Sequence, residues 1–185
     1  AWKPVHRTFV THGHADHARG GHGETVATPE TLAIMKLRYA TDAGAVPVAY
    51  SETLKLAGGV CATWLPAGHV LGSAQILLEY AGERIIVTGD YKRRADPTCP
   101  PFQITPCDVL ITEATFGLPV FRHPPVESEV AKLIKALSDN PERCVLVGAY
   151  ALGKAQRLIA EVRRAGHTAL AQLRVYLGNA VYDLD

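Results

Sequence analysis

Thr11-His12-Gly13-His14-Ala15-Asp16-His17 packs three imidazoles and a carboxylate into one short window. Imidazole nitrogen and carboxylate oxygen are the donors that a divalent zinc or manganese ion accepts near neutral pH. A lone histidine is usually a surface or packed residue, but three beside an aspartate point to metal. Gly13 and Ala15 are small enough to let the chain turn. His12 and His14 can then aim at one point, and Asp16 and His17 at a neighbouring one. That spacing can feed two ions.

Working outward, residues 5–11 read as a short strand that delivers the loop. Thr28-Pro29 offers an N-cap and a first-turn proline for a helix carrying Leu32, Met35 and Tyr39. Strands are predicted at 54–56, 60–65, 74–80 and 84–87, with a tight hairpin at Gly82-Glu83. A proline-rich passage at 97–106 precedes a buried strand at 108–112. Val126, Val130, Leu133, Ile134 and Leu137 then form one stripe of an amphipathic helix. A strand at 144–148, a helix carrying Leu152, Ala155, Leu158, Ile159 and Val162, and a strand at 175–177 complete an α/β pattern in two parts.

Two distant residues can join the histidine loop. His69 lies in Gly68-His69-Val70-Leu71-Gly72-Ser73-Ala74, and Asp90 in Thr88-Gly89-Asp90-Tyr91. Both follow apolar strands, where loops can converge.

With 19 Lys and Arg against 18 Asp and Glu, the net charge is +1, so any nucleic-acid contact must rest on a local basic patch. A hydrophobic content of 48% and a charged content of 20% exclude a disordered chain. Cys61, Cys99, Cys107 and Cys144 are scattered and form no C-x-x-C pair, which points to a reducing, cytoplasmic setting. No apolar run is long enough for a membrane span. The chain opens on Ala1-Trp2-Lys3-Pro4 and runs almost at once into a strand, which reads as an internal piece of a longer protein. Ser73 stands in no Gly-x-Ser-x-Gly elbow, which argues against a serine hydrolase. Trp64 reads as a packing anchor, and His123 as a loop residue.

The ordered set His12-x-His14-x-Asp16-His17, Gly68-His69 and Gly89-Asp90 resembles the metallo-β-lactamase superfamily. The segments Gly68 to Ala74, Thr88-Gly89-Asp90-Tyr91, Thr112-Glu113-Ala114-Thr115-Phe116-Gly117 and Ala149-Tyr150-Ala151-Leu152-Gly153-Lys154-Ala155-Gln156 are similar to its β-CASP nuclease branch. They are most like the bacterial ligase-associated DNA exonucleases, themselves similar to mRNA 3′-end processing factors. The resemblance implies an α/β fold: a partial αββα sandwich over residues 1–119, followed by part of a β-CASP domain over 120–185. It implies that His12, His14 and His69 hold one Zn²⁺, that Asp16 and His17 hold a second, and that Asp90 bridges them, with Mn²⁺ as an alternative. Asp16, Asp90 and Glu113 would be the catalytic carboxylates, with Glu113 orienting the surroundings of the metal site.

The implied activity is phosphodiester hydrolysis of DNA, exonucleolytic, in repair or end processing, with association with a DNA ligase. The alternatives are an RNA-processing β-CASP ribonuclease, a thioesterase- or lactonase-like hydrolase on the same fold, and an inactive metal-binding fragment. The family places two further histidines downstream. Here only His123 and His167 follow Asp90, neither in a matching motif, so the second site is expected to lack one protein ligand. Lys154 and Arg157, in the first turns of a helix, would suit a substrate phosphate. Lys92-Arg93-Arg94 could meet a nucleic-acid backbone beside the site.

Overall fold

The computed structural model describes residues 3–41, 43–143 and 145–165, and the backbone of 176–177 and 180–181. The chain divides into two compact units, Ala1–Thr115 and Phe116–Asp185.

The first unit contains β1 (Arg7–Phe9), β2 (Glu24–Ala27), α1 (Pro29–Tyr39), β3 (Ala45–Pro47), β4 (Thr53–Lys55), β5 (Cys61–Pro66), β6 (Ala74–Tyr80), β7 (Glu83–Val87) and β8 (Val109–Ile111). β1, β2 and β3 form a parallel sheet in that order. β4 to β8 form a second sheet, antiparallel except for its last pair, β7 and β8.

Side-chain alternation builds the layers. Ala62 and Trp64 on β5 and Ala74 and Ile76 on β6 point to one face, at a period of two, and pack with Val26 of β2 and Phe9 of β1. This is the core between the sheets. Trp64 is its anchor, fully buried, with Phe9 edge-on to it at 5.0 Å. The intervening residues Leu65 and Leu77 join Ile86 and Cys107 on the opposite face. Met35 and Leu32 of α1 pack with Val10, Ala18 and Ala27 against the small sheet. The order is therefore helix, sheet, sheet, with the outer face of the larger sheet covered by the chain around Cys107 and by no helix among the described residues of this unit.

α1 starts as expected. The Thr28 hydroxyl accepts from Thr31 N at 3.2 Å, and Pro29 occupies the first turn. β2 and β3 were not foreseen: each is very short, one carries polar Thr25 and the other ends in proline. Pro47 is tolerated because β3 is an edge strand. The hairpin between β6 and β7 turns on Ala81 and Gly82, not Gly82-Glu83, because Tyr80 pairs with Glu83. Both turn residues have positive φ, 50° and 88°, which suits the twist of a two-residue hairpin. β8 forms where a strand was expected, but it is not buried. Val109, Leu110 and Ile111 are all about half exposed, because β8 ends its sheet and pairs on one side only.

In the second unit, α2 (Val126–Asp139) packs against α3 (Lys154–Arg164). The stripe Val126, Val130, Leu133, Ile134 and Leu137 is the buried or half-buried side of α2. α3 starts after Gly153, whose N–H donates to Gln156 Oε1 at 2.7 Å. The strand expected at 144–148 is not formed at 145–148. Leu146 is 86% exposed there, and no described strand lies beside it to supply a ladder. Tyr176–Leu177 and Ala180–Val181 pair as the antiparallel strands β9 and β10. His167, Cys144 and Val175 lie outside the described residues. No described helix is long and apolar enough to cross a membrane.

Candidate metal centre

Three loops at strand ends build the site, and each is pinned by the backbone around it. After β1, Thr11 O accepts from Ala74 N at 2.8 Å, which ties the histidine loop to the start of β6. Tyr39 of α1 donates its hydroxyl to Gly13 O at 3.0 Å. His14 O accepts from the N–H groups of His17 and Ala18, closing a turn that swings His17 back over His12 at 4.2 Å between ring centroids.

The second loop carries His69. Ser73, buried, accepts on Oγ from His69 N at 3.0 Å and Val70 N at 3.1 Å. Gly72 O accepts from the hydroxyls of Thr28 and Thr31, so the start of α1 clasps this loop. The third loop leaves β7 through Thr88, whose N–H bonds Ile111 O at 3.0 Å, and carries Asp90.

His12, His14, His69 and Asp90 each bring one donor atom within 4.8 Å of all the others. His69 Nε2 is 3.2 Å from His14 Nδ1 and 3.6 Å from Asp90 Oδ2, and His12 Nε2 is 3.7 Å from the same oxygen. The other carboxylate oxygen, Oδ1, lies 3.4 Å from His17 Nε2. Donors held about 2 Å from one tetrahedral ion stand about 3.3–3.5 Å from one another, so the spacing fits a cation. His12 supplies an independent sign. Its side chain is fully buried, and Nε2 has no hydrogen-bond partner among the described residues. A buried polar atom left in that state is costly unless something else satisfies it. An imidazole nitrogen facing two further imidazoles and a carboxylate is suited by its chemistry to bind a metal ion.

Electrostatics keep these rings in the ligating form. Burial, reinforced by His17, His69 and His14, lowers the His12 pKa to about 2. Burial also lowers His69 to about 4, although Asp90 and Glu113 pull the other way. Both imidazoles are therefore neutral at pH 7, as metal binding requires.

The remaining expected residues divide. Asp16 stands beside the cluster, its carboxylate 3.6 Å from His17 Nε2 but three-quarters exposed. Glu113 is near enough to act on His69 electrostatically, and its Oε2 accepts from Thr115 N at 2.7 Å. Lys92 is paired with Asp96 and keeps only part of its side chain in contact with water. Burial alone would raise the Asp96 carboxyl, but hydrogen bonds from Lys92 and from Thr98 outweigh it and hold it below its usual range. Lys154 and Arg157 are on α3, in the second unit. Lys154 Nζ sits 4.7 Å over the Tyr150 ring, and Arg157 Nε is 3.8 Å from Glu161. His123 is an exposed loop residue, edge-on to Phe116. Sequence reasoning missed Ser73 and Thr11 as supports of the ligands. The Thr11 hydroxyl lies 3.1 Å from His12 Nδ1 and 3.5 Å from His17 Nδ1. Their signal was position alone, one beside the first ligand and the other four residues after His69.

The model of the metallo-beta-lactamase superfamily matches residues 1–148. The chain belongs to that superfamily. A "Probable DNA ligase" of Opitutus terrae is 31% identical over 97% of this chain and 18% of its own length. An "Endoribonuclease YSH1" of Mycosarcoma maydis is 29% identical over 97% of this chain and 25% of its own length. The chain thus spans a quarter or less of these curated relatives. A crystal structure of a protein of unknown function from Enterococcus faecalis V583 matches 85% of this chain and 44% of that one, with a TM-score of 0.59 and 16% identity, a likeness of fold. The superfamily match and the His/Asp group agree: the first unit of this metallo-beta-lactamase superfamily chain carries a group of side chains that could hold a metal ion.

Proposed function

We propose that the protein is a metal-dependent nuclease of the β-CASP branch that hydrolyses phosphodiester bonds of DNA exonucleolytically, in repair or end processing. The observation that carries this reading is the division of Asp90. One carboxylate oxygen faces His12 and His69, and the other faces His17, the arrangement of a bridge between two cations. The DNA assignment draws on the relative named as a probable DNA ligase, which also makes a ligase the expected partner.

In this reading His12, His14, His69 and Asp90 hold one Zn²⁺ or Mn²⁺, and Asp16, His17 and Asp90 hold the other. Such ions supply Lewis acidity, which lowers the pKa of a water and offsets charge on a phosphoryl oxygen. The residues themselves do the rest. Asp16, exposed and next to His17, hydrogen-bonds the attacking water as well as binding metal. Glu113 keeps negative charge near His69 and orders the turn at Thr115. Lys154 and Arg157 bind backbone phosphates of the substrate.

A second reading, RNA cleavage, is favoured by the relative named as an endoribonuclease. End-labelled DNA and RNA of matched sequence, incubated with Zn²⁺ or Mn²⁺, separate the two. Stepwise loss of nucleotides from DNA ends is expected, abolished by a chelator and by His14→Ala. Cleavage of RNA alone would move the assignment to the second reading. Cleavage retained in chelator-treated His14→Ala protein would remove the metal from the mechanism.

A further inference from the structure

Thr11 stands directly before the ligand loop, and its hydroxyl touches two imidazoles at once. Oγ1 is 3.1 Å from His12 Nδ1 and 3.5 Å from His17 Nδ1. At the far side of each ring, Nε2 faces one oxygen of Asp90: Oδ2 for His12, Oδ1 for His17. Both rings are thus held between the same hydroxyl and the same carboxylate.

The hydroxyl is itself fixed in place. Thr11 O is bonded to Ala74 N, and the Thr11 side chain packs flat against Gly89, the residue before Asp90. A Cβ at Gly89 would fall 2.6 Å from Thr11 Cβ and 2.7 Å from Oγ1, and Gly89 has φ +55°. Only glycine satisfies both the contact and the backbone angle without strain. Thr11 is therefore in contact with the chain that carries His12, His17 and Asp90 together.

A hydroxyl oxygen has two lone pairs but a single proton. It can accept from two N–H groups at once, whereas it can donate to only one lone pair. With a cation beside Asp90 claiming both Nε2 lone pairs, the two Nδ1 atoms that converge on the hydroxyl both carry hydrogen, and the oxygen accepts from both. Each Nε2 then presents a lone pair toward Asp90, the side on which an ion would sit. The hydrogen bond on one ring nitrogen sets the tautomer available at the other.

We propose that Thr11 is a positioning residue that holds His12 and His17 together in the Nδ1–H tautomer, and so couples the two metal subsites through one hydroxyl. The coupling and the tautomer of His17 rest on the dinuclear reading above; the tautomer of His12 rests on the first subsite alone.

The test uses ¹⁵N-histidine NMR and metal titration of the zinc-loaded protein, comparing Thr11→Ser, which keeps the hydroxyl, with Thr11→Val, which keeps the shape. In the wild type and Thr11→Ser, His12 and His17 are both expected to show Nδ1–H with Nε2 deprotonated. In Thr11→Val, zinc affinity at both subsites should fall about 10- to 100-fold. The thermal midpoint of the metal-free protein should stay close to that of Thr11→Ser, which a purely structural role would not allow. Nε2–H on either histidine in the zinc-loaded wild type, or unchanged affinity in Thr11→Val, would overturn the proposal. A loss confined to one subsite would overturn the coupling. One ion per wild-type chain would instead defeat the dinuclear reading, and the tautomers would still be read.

Discussion

Asp90 Oδ1 lies 3.4 Å from His17 Nε2, while its other oxygen belongs to His12 and His69. In the proposed dinuclear reading, this one relationship joins two groups of donors into a single centre. Removing the charge but not the shape of Asp90 is therefore informative. Asp90→Asn should weaken metal binding by more than about 100-fold, since it alters a ligand rather than its support. Elemental analysis after gel filtration should show the loss. Wild-type metal content in this variant would contradict the bridge.

Acid should destabilise the metal-free protein. Burial holds His12 at about 2 and His69 at about 4, both below the 6.5 of an unfolded histidine. Below 6.5 the unfolded state therefore binds more protons, and stability rises with pH across that range. The neutral folded rings contribute fully above 6.5, and their contribution is lost as pH falls toward about 4 for His69 and about 2 for His12. Urea titrations of the apoprotein at pH 7 and pH 5 should show the lower midpoint at pH 5, with a smaller difference in His69→Gln. Equal midpoints in the parent protein would contradict the burial argument.

Asp96 is almost fully buried and gathers Lys92 and Thr98 six residues after Asp90. Lys92 in turn donates its N–H to Ala67 O, next to the His69 loop. Asp96→Ala should cost about 2–3 kcal/mol. That is below the range for a wholly buried pair, because Lys92 keeps some contact with water. Denaturant unfolding measures it, and a loss under about 0.5 kcal/mol, the size of an ordinary surface substitution, would show that the clamp is incidental.

Thr28 serves both the helix and the site. It caps α1 through Thr31 N and donates to Gly72 O at 2.7 Å, fully buried. Thr28→Ala should lose about 1–3 kcal/mol, more than a solvent-exposed cap alone, because Gly72 O loses one of its two donors. Thr28→Ser should recover most of it. Failure of serine to recover stability would place the effect in the methyl group instead.

Much of this architecture could be read from local pattern. The cap and proline of α1, the stripe of α2, the start of α3 after Gly153 and the long strand β6 are set by neighbours in sequence, through hydrogen bonds and periodicities that span only a few residues. β2, β3, the exposure of β8 and the missing strand at 145–148 were not legible, because a short strand exists only if another strand lies beside it. Pairing partners are distant in sequence, so pattern alone does not register them.

The candidate site divides along the same line. Residue chemistry and spacing in 11–17, with His69 and Asp90 at strand ends, determined which donors were available and that a divalent cation suits them. Tertiary structure alone decided that His12 Nε2 is buried without a hydrogen-bond partner among the described residues, that the oxygens of Asp90 are shared between two sets of imidazoles, and that Thr11 touches both rings. The physical reason is that ligand type is a property of single side chains. Which atom of each faces the others depends on backbone hydrogen bonds and close packing between β1, β6 and β7, and these arise only when the sheets assemble.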